Sequence, residues 1–401
     1  MVTPMSSLAV SACTATSALG RGLDAHRQAL EQGRSGLRPN DISQAPLPCW
    51  IGRVDGVEDE PLPAALADWD CRNNRLAWLG LRQDGFLDRV HAARTHYGAD
   101  RIALLLGTST ASIGATEEGY RRLDASGRLP DDLRRRAIHS PHSLAGFVAT
   151  ALELEGPCLT VSTACSSSAK VFASAERMIR LGLVDAAVVG GVDTLCDSVL
   201  FGFGSLELIS AEPCRPFDET RNGISIGEAA GFALLERADA APQAPRLLGW
   251  GESSDAHHMS TPHPEGLGAE LAIREALARA GLEPAQVDYI NLHGTASHKN
   301  DTMEAHLLAR LFPPATRASS TKGFTGHTLG AAGIIEAVIA LLAIEGGLIP
   351  GNLGARVPDP ACSASFAWHA EHQRVAVAMS NSFGFGGNNA CLVFGQAQVS
   401  R

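Results

Sequence analysis

The sequence predicts an α/β protein, and two observations carry this prediction. Segments typical of buried strands alternate with segments of helical periodicity along most of the 401 residues. The second half of the chain also repeats the order in which these segments occur in the first half. We therefore expect two similar α/β halves rather than one sheet built from unrelated parts.

The first half begins with a predicted strand at 8–12, a turn, and a helix at 23–32 that stops at Gly33. A loop follows, and helical periodicity returns over 63–97. The run 101–107, RIALLLG, is apolar from residue 102 onward, which is typical of a strand covered on both faces in a parallel sheet. Helices are predicted at 112–124 and 143–154, and a second buried strand at 185–191.

The stretch Leu159–Gly182 contains the strongest chemical signal. Leu159 and Val161 predict a short buried strand, and the apolar spacing from Val171 to Leu181 predicts an amphipathic helix. Cys165 lies in the turn between them. The free amides and the dipole of a helix N-terminus favour a thiolate, so this position suits a nucleophile that forms a thioester. A small buried cysteine that fills a tight turn would have the same pattern.

The two halves match segment by segment. The strand at 101–110 corresponds to 288–297, the Cys165 unit to 318–347, and the strand at 185–191 to 374–387. We assign the halves to residues 1–240 and 241–401. If they pack with approximate twofold symmetry, the helix after Cys165 and the helix after His327 begin at the same cleft.

Composition restricts the class of protein. The formal net charge of −10 argues against general binding to nucleic acid or to an anionic membrane. The nine cysteines form no C-x-x-C pair, which indicates neither a disulfide framework nor a zinc site. The apolar helix predicted at 333–348 is interrupted by Glu336 and Glu345, so we expect a core helix. We expect a soluble cytoplasmic protein.

Two histidines are expected at the same cleft. His293 follows a predicted strand, and His327 lies in a glycine-rich segment where a helix begins. Either residue alone is more often a surface or core histidine than a catalyst. Their joint occurrence with Cys165 on separate loops at strand ends favours a catalytic site.

Four motifs make the sequence resemble the elongating β-ketoacyl-[acyl-carrier-protein] synthases. They are V-S-T-A-C-S-S-S-A, L-H-G-T-A-S-x-K-N-D, S-x-T-K-G-F-T-G-H-T-L-G-A-A-G and N-S-F-G-F-G-G-N-N-A. The resemblance covers essentially the whole chain. It implies the thiolase fold, with two βαβαβαββ copies in a five-layer α-β-α-β-α arrangement, and a Cys-His-His condensing enzyme.

The resemblance also implies a reaction. Cys165 would take an acyl chain from a carrier protein, with its own amide and that of Phe385 stabilising the oxyanion. His293 and His327 would stabilise the enolate that forms when malonyl-carrier loses carbon dioxide, and the enolate would attack the Cys165 thioester. No metal and no redox cofactor is expected, because the substrates are carried on phosphopantetheine.

Further residues have roles only by this resemblance. Lys322 would lie in a buried network, in which Asp301, Glu304 and Glu336 stand at acidic positions that could pair with its charge. Thr295 and Ser297 would bind the phosphopantetheine arm, and Phe383 and Phe385 would belong to a mobile loop between glycines. Thr110 stands where relatives close the acyl pocket with a bulkier residue, although a local turn bond would equally explain it.

Partners also follow from the resemblance. We expect an acyl carrier protein and a homodimer, or a heterodimer with a ketosynthase-like partner. Two arginine clusters, at 121–122 and 134–136, offer positive charge to an acidic carrier. Three positions depart from the family pattern: Asn222, Ala229 and Glu207. The last of these would weaken carrier docking.

Several alternatives stay open at this point. A silent chain-length subunit of the same fold commonly lacks the cysteine, which this chain keeps. A thiolase acting on coenzyme A thioesters needs a second catalytic cysteine, for which Cys391 is the candidate. An unrelated Cys-His hydrolase is disfavoured because no predicted loop has a pattern that would position a water molecule for hydrolysis. The pathway, whether fatty-acid, polyene or polyketide elongation, is not decided by the residues.

Overall fold

A computed structural model describes residues 4–397, and their strands and helices follow the predicted alternation. The strands are β1 (Leu8–Ser17), β2 (Gly20–Arg21), β3 (Arg38–Pro39), β4 (Trp50–Gly52), β5 (Ile102–Gly107), β6 (Cys158–Val161), β7 (Ala186–Asp193), β8 (Ile226–Gly227), β9 (Ala229–Arg237), β10 (Arg246–Ser254), β11 (Tyr289–Asn291), β12 (Arg317–Ser319), β13 (Leu348–Ile349), β14 (Glu371–His372), β15 (Val377–Gly384) and β16 (Asn388–Gly395). The helices are α1 (Leu23–Glu31), α2 (Arg72–Leu81), α3 (Phe86–Tyr97), α4 (Ile113–Arg121), α5 (Ser143–Leu152), α6 (Ser167–Arg180), α7 (Asp197–Ser205), α8 (Leu267–Ala280), α9 (His298–Leu311), α10 (Lys322–Thr325) and α11 (Ala332–Gly346).

The order of the main sheet confirms the repeat. From one edge to the other it runs β12-β11-β15-β16-β10-β1-β9-β7-β5-β6. On each side of the centre, the first two strand pairs outward from β1 or from β10 are antiparallel, and the next two are parallel. The two sides meet where β1 pairs with β10, with Leu8 opposite Leu247. The chain crosses from one side to the other between β9 and β10, close to residue 240, but the division into domains 1–240 and 241–401 stays a prediction.

The predicted five layers are also present. Alternate residues of each strand face opposite ways, as the period of a strand requires. On β5, Leu105 packs in the core cluster that contains α6 and α11, whereas Leu104 and Leu106 pack against α2 and α5. On β15, Ala378 belongs to the first of these clusters, and Met379 packs with α8 and α9. The helices α6 and α11 thus form a central layer between the two sides of the sheet.

The central helix α11 is buried on all sides. The segment Leu329–Gly346 is long and apolar enough to cross a membrane by length and composition, but 89% of it is buried inside the protein, as in the core helix of a globular protein. Glu336, inside this helix, is paired with Lys322, and Glu345 near its end lies 3.8 Å from Arg27. Each of the two acidic residues therefore has a cationic partner within the protein.

Three local predictions need correction. The strand before Cys165 was predicted to be buried, but β6 is the edge strand of the sheet and Leu159 is 42% exposed. The helix after Cys165 ends at Arg180, and Leu181 beyond it is 64% exposed. The predicted loop after α1 contains β3 and β4. Periodicity alone does not show on which side of an element a neighbour packs.

Candidate active site

Cys165 lies in a strained turn between β6 and α6. Ala164 has a φ of 53°, in the left-handed region that a residue with a Cβ rarely adopts. The start of α6 also lies very close to β5, because a Cβ at Gly107 would come within 2.3 Å of the Ser168 nitrogen. These two features fix the position of the thiol after β6, where only 5% of Cys165 is exposed.

His327 approaches Cys165 from the other half of the chain. Its Nε2 atom lies 3.0 Å from the Cys165 Sγ. The backbone amide of Leu329 donates to its Nδ1 at 3.2 Å, and its own amide donates to the Ser225 carbonyl. Because Nδ1 accepts a hydrogen bond, the neutral ring carries its proton on Nε2. His327 therefore presents a donor to the sulfur.

His293 is held at the end of β11 by a buried carboxylate. The two oxygens of Glu304 accept the amides of His293 and Gly294, each at 2.8 Å. The His293 ring lies 5.5 Å from the His327 ring at an angle of 88°, and 5.9 Å from the ring of Phe383. The Cys165 sulfur and one nitrogen of each histidine lie within 4.8 Å of one another. The structure thus brings together all three predicted catalytic residues.

Lys322 is buried behind the two histidines. Its ammonium forms an ion pair with Glu336, donates to the His293 carbonyl at 2.5 Å, and lies 3.5 Å from the His293 Nδ1. An ammonium is only a donor, so the Nδ1 of His293 is an acceptor and its proton also lies on Nε2. Both histidines line the cavity at Cys165, and each then carries its proton on Nε2.

The prediction that three carboxylates pair with Lys322 was wrong for two of them. Among the contacts of the described residues, Asp301 accepts the amide of Phe217 at 2.8 Å and lies 3.7 Å from Arg221. Glu304 holds the backbone of His293 instead. Both residues lie on α9, whose first turns face the loop after β11, whereas Glu336 on α11 faces Lys322. The helix on which each acidic residue lies therefore determines which groups it contacts.

Burial dominates the electrostatics of the site. It raises the pKa of the Cys165 thiol to about 11, although the Lys322 charge and the amides of Phe385 and Cys165 lower it. Burial and the Lys322 charge hold the pKa values of both histidines well below their usual range. Desolvation of the buried sulfur thus opposes the stabilisation of the thiolate that is expected at a helix N-terminus.

The cavity at Cys165 is narrow, with a volume of about 50 Å³. Seven of the predicted residues line it: Cys165, His293, Thr295, Ser297, His327, Phe383 and Phe385. The Thr295 and Ser297 hydroxyls lie 2.9 Å apart at its wall. Phe203 of α7, which was not predicted, stacks on Phe385 at 5.5 Å between ring centroids. The Gly-Phe-Gly sequence at 202–204 was the signal from which Phe203 could have been predicted.

Thr110 does not line the cavity at Cys165 and belongs to a neighbouring one of about 220 Å³. Its hydroxyl donates to the buried carboxylate of Asp193 at 2.6 Å. The partner is thus a side chain distant in sequence, and not the backbone of the turn that contains Thr110. The carboxylate is a stronger acceptor, and the fold places it 83 residues away in sequence.

Two family models match the chain: the beta-ketoacyl synthase N-terminal domain over residues 75–241 and the C-terminal domain over residues 245–356. The chain is 36% identical over 395 residues to Nodulation protein E of Rhizobium sp. (strain N33), covering 94% of this chain and 96% of that protein. It is 38% identical over 270 residues to the mitochondrial 3-oxoacyl-[acyl-carrier-protein] synthase of Arabidopsis thaliana, covering 62% of this chain and 59% of that protein.

A solved structure shows the same fold. A ketosynthase from Xenorhabdus doucetiae, determined in complex with its chain length factor, superposes with a TM-score of 0.89 at 39% identity and covers 98% of both chains. The motifs, the layered fold and the Cys-His-His geometry agree with these similarities. The chain belongs to the β-ketoacyl synthase family, and it is a condensing enzyme of the acyltransferase class with the thiolase fold.

Proposed function

We propose that Cys165 carries an acyl chain as a thioester and that His293 and His327 stabilise the enolate of a malonyl group bound to a carrier protein. The observation that carries the proposal is the Cys-His-His cluster: the His327 Nε2 lies 3.0 Å from the Cys165 sulfur, and a ring nitrogen of His293 lies within 4.8 Å of both. Two fixed donors aimed at a developing oxyanion are the arrangement that stabilises charge in a dry site.

In the first step, the Cys165 sulfur attacks the carbonyl of an acyl-carrier thioester. The carbon–sulfur bond to the carrier breaks, and the proton of Cys165 ends on the carrier thiol. Because the pKa of Cys165 is raised, this proton is present in the resting site. The amides of Cys165 and Phe385, which already act on the sulfur, would donate to the tetrahedral oxyanion.

In the second step, the malonyl carboxylate leaves as carbon dioxide, and the electrons of the broken carbon–carbon bond form an enolate. Its oxygen accepts from the Nε2–H groups of His293 and His327. The enolate carbon attacks the Cys165 thioester, and the sulfur leaves and takes up a proton. Neutral histidines suit this role, because each already has its donor on the side of the substrate.

Decarboxylation of malonyl-carrier by the Cys165→Ala variant tests the two histidines directly. Release of carbon dioxide should persist in this variant and fall about a hundredfold or more when His293→Ala or His327→Ala is added. Lys299→Ala, a change of an exposed residue on α9, serves as the matched control. Undiminished decarboxylation in both histidine variants would reject the shared enolate role.

A metal centre is a second candidate, because a thiol and two imidazoles within 4.8 Å resemble part of a zinc site. The Lys322 ammonium beside His293 disfavours another cation there. We propose that the reaction needs neither a metal nor a redox cofactor. Metal analysis of the purified protein, with activity measured after chelation, separates the two candidates: a stoichiometric metal whose removal abolishes condensation would favour the centre.

The thiolase alternative has less support. Cys391 lies within β16, is fully buried, and pairs across the sheet with Asn381 on β15. Burial raises the pKa of its thiol, with the Glu304 charge acting in the same direction. Because Cys391 does not line the cavity at Cys165, it is poorly placed to serve as a second catalytic cysteine.

We also propose that a second chain of the same fold binds along the edge strand β6. An uncovered edge strand offers unpaired backbone groups to a partner, and Leu159 on β6 and Leu183 after α6 are exposed apolar residues. The related X. doucetiae ketosynthase was determined with a chain length factor, which makes a heterodimer as reasonable as a homodimer.

Light scattering tests this assembly. Leu159→Arg should give a monomer, whereas Leu267→Arg, at another exposed leucine, on α8, should leave the assembly intact. A homodimer would form from the purified chain alone, and a heterodimer only after addition of a ketosynthase-like partner. An unchanged mass for Leu159→Arg would place the interface elsewhere.

We place the protein in the cytoplasm. All nine cysteines, which lie within residues 4–397, are free thiols, and three of them line the Cys165 cavity or a neighbouring one. Such thiols persist in a reducing compartment. The pathway served is fatty-acid elongation or a specialised polyene or polyketide route, and product analysis with the chain's own carrier protein would distinguish them.

A further inference from the structure

Asp193, at the end of β7, is a fully buried carboxylate that joins two loops of the active site. On one side it accepts the Thr108 and Thr110 hydroxyls, both at 2.6 Å, and the Thr110 amide at 2.7 Å. On the other side its second oxygen accepts the amide of Gly330 at 2.6 Å. The Ser109 amide lies 2.9 Å from both oxygens.

Gly330 belongs to the turn that orients His327. The Leu329 amide, one residue earlier, is the donor to the His327 Nδ1. Leu329 has a φ of 56°, in the left-handed region, so the turn needs contacts that hold it. A Cβ at Gly330 would lie 2.7 Å from the Asp193 Oδ2, which shows how closely the backbone approaches the carboxylate.

We propose that Asp193 is a positioning residue for His327. Its hydrogen bond to Gly330 keeps the Leu329 amide against the His327 Nδ1, and this keeps the ring proton on Nε2, facing Cys165. The hydroxyls of Thr108 and Thr110 and the nearby amides satisfy the rest of the carboxylate, which gives Thr110 a role in the site although it lies outside the Cys165 cavity. The proposal rests on the enolate-stabilising role of His327 given above.

Asp193→Asn is the most conservative test. The amide has nearly the shape of the carboxylate, but its nitrogen is a donor and would face groups that are themselves donors. The turn at Gly330 should therefore loosen. In the Cys165→Ala background, decarboxylation of malonyl-carrier should lose about tenfold or more in kcat, with KM little changed, because the substrate contacts remain and one donor is misaligned.

A double-mutant cycle separates positioning from general damage. Asp193→Asn should reduce the rate as strongly with His293→Ala as without it, but should cause no further loss once His327→Ala is present. An equal loss once His327→Ala is present, or no loss in the Cys165→Ala background alone, would overturn the proposal. If His327→Ala itself leaves decarboxylation intact, the proposed function fails first, so the two failures are distinguishable.

Two further variants guard against a failure to fold. Thr108→Val with Thr110→Val removes the two hydroxyl donors to Asp193 but keeps the backbone amides that donate to it, and it should give the same dependence on His327 with a smaller loss. Asp288→Asn is the matched control, because Asp288 also accepts two backbone amides, those of Ala376 and Val377, but at the far end of β11. It should lower the melting temperature without any dependence on His327.

Discussion

The Nε2 atom of His327 lies 3.0 Å from the sulfur of Cys165, although the two residues are separated by 162 positions in the chain. Each residue precedes a helix of the central layer, and the Ile334 amide of α11 donates to the Ser168 hydroxyl of α6 at 2.9 Å. The contact between nucleophile and histidine is therefore a product of the repeat: equivalent turns of the two halves meet at the junction of their central helices.

Acylation should occur on Cys165 alone. Incubation with an acyl-carrier thioester should give one adduct, which mass spectrometry of the peptides locates, and Cys165→Ala should abolish condensation. The exposed Cys158 provides an internal comparison, because it is more accessible but lacks the flanking amides and histidines. An adduct on any of the other eight cysteines would sink the assignment.

The reactivity of Cys165 toward iodoacetamide should increase with pH. Because the pKa of the thiol is raised to about 11, the thiolate is the minor form at neutral pH and its fraction grows about tenfold per pH unit. Alkylation rates measured between pH 7 and pH 9, with the modified peptide quantified, should show this slope. A plateau below pH 9 would mean that the helix dipole and Lys322 outweigh burial.

Lys322→Met should move the acid limit of decarboxylation to higher pH. Burial and the Lys322 charge both lower the pKa values of His293 and His327, so loss of the charge lets those values rise. Protonation then begins at a higher pH, and at His327 it places an N–H on Nδ1 against the Leu329 amide, which also donates. The pH–rate profile in the Cys165→Ala background measures the change.

Lys322→Met combined with Glu336→Gln is the control for this experiment, because it removes both charges of the buried pair. The acid limit should rise in the double variant as well. An acid limit that stays fixed or falls in both variants contradicts the electrostatic role of Lys322.

Gly107→Ala should destabilise the protein and impair Cys165. The added Cβ would lie 2.3 Å from the Ser168 nitrogen, so α6 must move, at a cost of about 1–3 kcal/mol in the free energy of unfolding. Gly202→Ala on α7 is the control, because its Cβ meets no heavy atom within 4 Å. Thermal unfolding and acylation rates should both separate the two variants, and equal behaviour would exclude the close approach.

Charge reversal at the arginine cluster tests carrier docking. Arg134 is paired with Asp131 at 2.9 Å and Arg135 donates to the Asp70 carbonyl at 2.8 Å, so part of the cluster is already engaged. Arg134→Glu with Arg136→Glu should raise KM for carrier-bound substrate more than for a small thioester, and salt should weaken the wild-type interaction. Arg274→Glu on α8 is the control. Equal changes for both substrates would indicate an ordinary solvated surface.

The sequence by itself determined the alternation of strands and helices, the repeat, and the three residues of the catalytic group. These follow from local periodicity and from motifs, which depend on residues close together in the chain. Phe203 was within reach of the same reasoning, because its glycine-flanked position resembles that of Phe385.

Only the tertiary structure decided which groups meet and how deeply they are buried. It assigned Glu336 rather than Asp301 or Glu304 to Lys322, gave the Thr110 hydroxyl to Asp193, and left β6 at an exposed edge. It also buried Cys165, and this burial opposes the ionisation that the helix N-terminus favours. Ion pairing and desolvation depend on neighbours brought together from distant positions, and a local pattern carries no record of those distances.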